Sequence, residues 1–296
     1  MKSELRTDVG VLEYLLVTSA LEETWCDDQP TLFLGDWCLR YSRRERWTKI
    51  SHTVLPYHWD NRLKYDEDYQ YLGTVLEDLL VHLSNHLNAI HGQNYTIRYW
   101  RILLGPWLGF FLHILFDRWS CIHKASDEYD VRGAFVIEDG WDTYLANDMA
   151  EFSQLCFSDD WNQKLCADIL QQYTDIPCTG VCRDAVRAVH PPRTGRTWPQ
   201  NFLVKVGAVY STVANIFSRN TDGVMIQTYL PKLDEVKMYL RLAQMPIIWR
   251  APPPLTAQAD ESDRQWEAKD ATRPPFEQCA YGLILQYLPK AYLEGY

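Results

Sequence analysis

The chain has no stretch of about 20 consecutive apolar residues, the length a bilayer span requires. Its most apolar run, Ile102 to Phe116, falls short and is flanked by Arg101, Asp117 and Arg118. The opening Met-Lys-Ser-Glu-Leu-Arg-Thr-Asp lacks the apolar core of a secretory signal. Positive charge is scarce. Lys and Arg total 29 against 39 Asp and Glu, for a net charge of −10 at pH 7. That disfavours a general nucleic-acid binder, which usually shows a basic face, but not one phosphate pocket built from a few arginines. There is no disulfide framework. Cysteines at 26, 38, 121, 156, 166, 178, 182 and 279 are scattered, and without a signal they read as reduced, cytosolic thiols. The close pair Cys178-x-x-x-Cys182 has only His190 nearby as a further ligand, so no metal site is expected there. Repeats and low-complexity tracts are also missing.

What is present is apolar and aromatic mass. Hydrophobic residues make up 47% of the chain and aromatics 14%, enough for one large core or two modest ones across 296 residues. The densest concentration is Tyr95 to Trp119. There Ile97, Trp100, Leu103, Leu104, Trp107, Leu108, Phe111, Leu112, Leu115, Phe116 and Trp119 recur at steps of three and four, the stripe of one long helix. A second line carries Arg98, Arg101, Gly105, Gly109, His113 and Asp117. Its two glycines would let a backbone or ligand come close, and Pro106 predicts a kink or broken turn. Residues 66–90 form a second helix with a leucine stripe. Gly92 ends it, and Asn94 is placed to cap the next one. So short a link predicts antiparallel packing. It would bring the loop at 57–62 toward Asp117 and Arg118, with Arg98 and Arg101 at the opposite end.

The rest alternates strand and helix. Residues 11–18 read as a buried strand, and Thr31–Gly35 as a short second one. In open α/β sheets ligands bind beyond the carboxyl ends of strands, which places Thr18, Ser19, Glu22 and Glu23 as site candidates. A competing role is a helix start, with Ser19 as N-cap and Glu22 closing a capping box. Arg40, Arg43, Arg44 and Arg46 form a basic patch, suited to phosphates or to surface pairing. The segment Val54 to Arg62 reads as a loop because of Pro56. It gathers His58, Asp60 and Arg62 beside Tyr57 and Trp59, the residue types of general acid/base chemistry and sugar stacking. Asp60 could alternatively cap the following helix. Ala134–Ile137 reads as a strand and Glu138-Asp139-Gly140 as a turn. Helices are expected at 145–157 and 159–173, and an irregular excursion at 174–202. Residues 223–229 read as a strand and 232–243 as a helix with Leu233, Val236, Leu240 and Leu242 inside. Residues 251–275 read as a Pro- and charge-rich linker, and 276–290 as a final helix.

Four stretches carry a resemblance. They are Leu15 to Trp25, Leu55 to Arg62, the helix Tyr95 to Trp119 with Arg98-Tyr-Trp-Arg-Ile-Leu-Leu-Gly-Pro-Trp-Leu108 as its most specific part, and Thr228 to Pro231 with Gln244-Met-Pro246. Together they resemble a family of transferases from bacterial O-antigen and other surface-polysaccharide gene clusters. The resemblance implies an α/β, Rossmann-like lobe similar to the N-terminal half of a two-lobed, GT-B-like glycosyltransferase. On that reading residues 1–250 form the lobe, and 276–296 lead toward a second lobe outside this chain. It further implies a sugar or glycan acceptor held here and no cofactor in this chain. A nucleotide-sugar donor would be bound by the complete enzyme. The location would be cytoplasmic, with contact to the inner membrane face through a lipid-linked acceptor.

Sugar transfer needs a base for the acceptor hydroxyl, cations for the leaving phosphate and aromatic faces for the sugar. His58, Glu23, Glu22 and Asp60 are the candidate bases. Arg62, Arg98 and Arg101 are the candidate cations. Tyr57, Trp59, Tyr99 and Trp107 are the candidate faces, with Gly105, Thr18 and Ser19 as further substrate contacts. The alternative is a non-catalytic binding or scaffold module of a glycan-assembly complex. Metal-dependent hydrolysis through His58 and Asp60 lacks a compact ligand set such as His-Glu-x-x-His.

Overall fold

The structure is a computed structural model that describes residues 12–183, 210, 214, 219, 222–223, 225, 228–246, 257–265 and 271–296. Five strands form one parallel sheet: β1 (Tyr14–Val17), β2 (Thr31–Phe33), β3 (His52–Val54), β4 (Val131–Ile137) and β5 (Cys178–Val181), in the order β3-β2-β1-β4-β5. The order reverses between β1 and β4, the arrangement of a doubly wound α/β sheet. The fold is therefore α/β, as the alternating pattern implied. Two strands were hidden in the sequence. β3 is three half-buried residues just before Pro56, too short for periodicity to register. β5 lies inside the stretch read as irregular, and residues 184–202 of that stretch fall outside the described ones.

Seven α-helices occur among the described residues: α1 (Arg44–Trp47), α2 (Arg62–Ile90), α3 (Ile97–Glu128), α4 (Met149–Leu155), α5 (Asp159–Tyr173), α6 (Lys232–Arg241) and α7 (Pro275–Tyr287). Asn61 caps α2 by accepting from the amides of Leu63 and Lys64, so Asp60 is not the cap. Gly92, at φ 61°, ends the turn after it. Thr96, not Asn94, caps α3. α3 runs nine residues past the aromatic stripe because Ser120, Cys121, Ile122 and Ala125 continue its buried face.

Pro106 stands inside α3 without ending it, on the exposed side. A Cβ on Gly105 or Gly109 would meet its nearest neighbours at 3.8 and 3.7 Å, an ordinary contact. No backbone comes close at either. α3 is long and apolar enough to cross a membrane. Here it packs against α2, α5 and α7, burying Leu104, Trp107, Leu108, Phe111, Leu112 and Leu115 completely. Each such side chain contributes about 1.5–3 kcal/mol through burial.

The chain divides into two compact units, Met1–Val189 with Leu255–Tyr296, and His190–Pro254. In the first, the stretch read as a linker contains a fixed residue. Arg264 is buried and donates to both Glu294 oxygens at 2.7 Å and to the carbonyls of Leu285 and Leu288 at 2.8 Å. In the second, α6 buries Tyr239, whose hydroxyl accepts from the Met225 amide at 2.7 Å. Leu233, Val236, Leu240 and Leu242 are exposed rather than inside. Of residues 223–229, those described lie outside any strand.

Ser158 caps α5 through the Trp161 amide at 3.1 Å. Ser158→Ala is expected to lower unfolding stability by about 1 kcal/mol, read from denaturant melts.

Candidate functional site

The loops after β2 and β3 run toward α3 and line an open cavity of about 750 Å³. Its walls come from three places: Gly35-Asp36-Trp37 after β2, Val54 to Tyr57 with Trp59 and Asp60 at and after the end of β3, and His113, Ile114, Asp117 and Arg118 on α3. The spacing explains the α3 contribution. His113 and Asp117, like Ile114 and Arg118, sit one turn apart and share a face. Gly35 is required by space. A Cβ there would lie 2.2 Å from the Trp37 ring. Trp37 is tied back to β1 by donating its indole N–H to the Thr18 carbonyl at 3.1 Å.

Asp117 organises the polar side of the cavity. His58 Nε2 donates to Asp117 Oδ1 at 3.0 Å, and Arg118 bonds its Oδ2. Arg118 also donates to Asn162 Oδ1 at 3.1 Å and lies 4.3 Å above the Trp37 ring. Burial, then the charge of Asp117 and a hydrogen bond to it, push the Tyr57 phenol well above its usual range. Tyr57 thus stays a protonated donor at any working pH. The antiparallel pairing of α2 and α3 does bring the 57–62 segment to Asp117 and Arg118.

His58 itself is buried. Its Nδ1 has no hydrogen-bond partner among the described residues, and the nearest carboxylate oxygen, of Asp68, is 4.0 Å away. With its side chain 2% exposed, it reaches a ligand only through Asp117. Asp36 and Asp60 differ: both are exposed carboxylates on the wall, and neither has a side-chain partner among the described residues.

Donor atoms of His58, Asp117 and Cys121 lie within 4.8 Å of one another, a set that could hold a soft divalent ion. Arg118, however, places a guanidinium on the carboxylate an ion would need. Burial and the Asp117 charge also raise the Cys121 thiol above its usual range. Asp117 is held by hydrogen bonds from His58 and Arg118, while His58 Nδ1 has no partner among the described residues.

The profile of the LIC12162 family of transferases matches residues 14–296. The chain belongs to that family. No curated protein and no solved structure matches it.

For a family transferase, the expected residues fall into three groups. Tyr57, Trp59 and Asp60 line the cavity and His58 stands behind it; Arg62, at the start of α2, is exposed and 5.4 Å from the Tyr65 ring. Thr18, Ser19, Glu22 and Glu23 sit beyond β1, and none lines the cavity. Thr18 and Ser19 are buried, and both hydroxyls donate to Gln163 Oε1, at 2.9 and 2.8 Å. No capping box forms: the turn Glu22–Thr24 starts from Leu21 without a side-chain cap. Glu23 lies 3.7 Å from Arg183, which bonds Asp160 at 2.6 Å.

The third group is at the far end of α3. Arg101 is about 24 Å from Asp117 at 1.5 Å per residue, and pairs with Glu77 of α2. Arg98 is exposed. Tyr99 bonds the Tyr296 hydroxyl at 2.6 Å, Gly105 is half-buried, and Trp107 is buried against Phe111. None of these five lines the cavity. Three arginines of the patch pair with carboxylates outside it, Arg40 and Arg43 with Asp159 and Arg46 with Asp27, while Arg44 donates to the Tyr41 carbonyl.

Sequence reasoning missed Asp36 and Trp37 and passed over Asp117 as a site residue. The signal for the first two was available. Gly35-Asp36-Trp37 follows a strand, the same position that selected Thr18 and Ser19.

Proposed function

We propose that this lobe holds the acceptor of a glycosyltransferase that uses an activated, nucleotide-linked sugar in bacterial surface-polysaccharide or O-antigen assembly. The observation that carries the reading is the cavity at the carboxyl ends of β2 and β3, with Trp37, Tyr57 and Trp59 beside Asp36, Asp60 and Asp117. Sugars present apolar C–H faces and a rim of hydroxyls. Aromatic rings match the first and carboxylates the second.

Asp60 is the base. It faces the cavity with its oxygens uncommitted, whereas Asp117 already accepts from His58 and Arg118. Deprotonating a hydroxyl needs a free lone pair within hydrogen-bond reach. Asp36 accepts from a second sugar hydroxyl. The Asp117–His58–Arg118 cluster holds Tyr57 and the Trp37 ring in place. The donor's leaving phosphate is taken up outside this cavity, since its one guanidinium is engaged. The enzyme works in the cytoplasm, and a lipid-linked acceptor would bring it to the inner membrane face. Nucleic acid is not a partner.

Trp37→Ala tests the reading. With a donor found by thermal-shift screening of nucleotide sugars against the complete protein, this variant should raise acceptor KM by about tenfold or more with kcat nearly unchanged. Unchanged KM would remove the cavity as the acceptor site.

A further inference from the structure

The same cavity constrains the charge of what it accepts. Three carboxylates, Asp36, Asp60 and Asp117, stand on its wall against one guanidinium, that of Arg118. That guanidinium is spent. It bonds Asp117 and Asn162 and lies over Trp37, 4.3 Å from the ring centre. His113, the remaining nitrogen base on the wall, is tied at Nδ1 to the Gly109 carbonyl at 2.7 Å. Neither Asp36 nor Asp60 forms an ion pair among the described residues. A phosphate or carboxylate entering here would meet uncompensated like charge and find no free donor cation. An uncharged hydroxyl rim would be accepted by the carboxylate oxygens, and an ammonium group would be attracted by them.

We infer that the acceptor is a neutral or amino-bearing sugar, and that phosphorylated sugars and uronic acids are rejected at this cavity. The inference rests on the acceptor reading given above and narrows it. Discrimination comes from repulsion of the wrong partner as much as from attraction of the right one.

Four probes test it on the full chain: glucosamine, glucose, glucuronate and glucose 6-phosphate, each titrated to tens of millimolar. Saturation-transfer NMR reads binding, and Trp37→Ala assigns it to the cavity. Glucosamine and glucose should bind, and the two anions should bind roughly tenfold more weakly or not at all, with the gap shrinking at high salt. In the double variant Asp36→Asn, Asp60→Asn the preference for glucosamine over glucuronate should collapse. Both positions are exposed, so the variant keeps the wild-type melting temperature. Glucuronate or glucose 6-phosphate binding as tightly as glucose, with the signal lost in Trp37→Ala, overturns the charge inference and leaves the sugar site standing. No signal from any of the four overturns the sugar site and the inference together.

Discussion

Asp60→Asn lowers sugar transfer by about two orders of magnitude or more while leaving the melting temperature unchanged. The expectation follows from which lone pairs are free. Asn61 takes the capping role at the start of α2, so the neighbouring Asp60 side chain has no structural bond to keep. An amide of the same shape preserves the loop but does not accept a proton. For a neutral acceptor KM should move little, because what the substitution removes there is chiefly a transition-state interaction. Turnover within a factor of a few of wild type would remove Asp60 as base. The free Asp36 carboxylate would then be the next candidate.

Asp117→Ala unfolds the protein more readily, by about 3–5 kcal/mol, or on the order of 10 °C in melting temperature. The carboxylate is 9% exposed. Its removal leaves the buried His58 imidazole and the Arg118 guanidinium without their shared acceptor. Stranding a buried charge costs more than the pair contributed when intact. His58→Ala should be milder, since Asp117 keeps Arg118. The two variants together should fall short of the sum of their separate losses, because they share one network. Strict additivity in a double-mutant cycle would show that the two residues do not act as a unit.

Periodicity was a good guide where elements are long. The stripes on α2 and α3 predicted two antiparallel helices. Chain reversal then placed Tyr57 to Arg62 beside Asp117, a contact between residues 59 positions apart. Where elements are short, no period develops. β3 has three residues and β5 four; β3 went unread before the loop at Val54, and β5 fell inside the stretch read as irregular. The site was half legible for a related reason. Residues sharing one loop, such as Tyr57, Trp59 and Asp60, announce themselves by proximity. Asp36 and Trp37 join them only because β2 and β3 are neighbours in the sheet, a fact that no local pattern encodes. The arginines at 98 and 101 share a line with Asp117, but a helix rises about 1.5 Å per residue, so they stand at the opposite end of α3, as the antiparallel reading placed them. Thr18 and Ser19 follow a strand, as site residues do. They turn inward, however, because Gln163 on α5 supplies a buried acceptor for both hydroxyls.

The most direct measurement is the location of a bound acceptor sugar, by crystallography of the protein soaked with a monosaccharide that binds in solution. The sugar ring should lie against Trp37, with one hydroxyl within hydrogen-bond distance of an Asp60 oxygen. A sugar seated instead beyond β1 and β4, beside Glu23 and Arg183, with the cavity under Trp37 empty, would contradict the account.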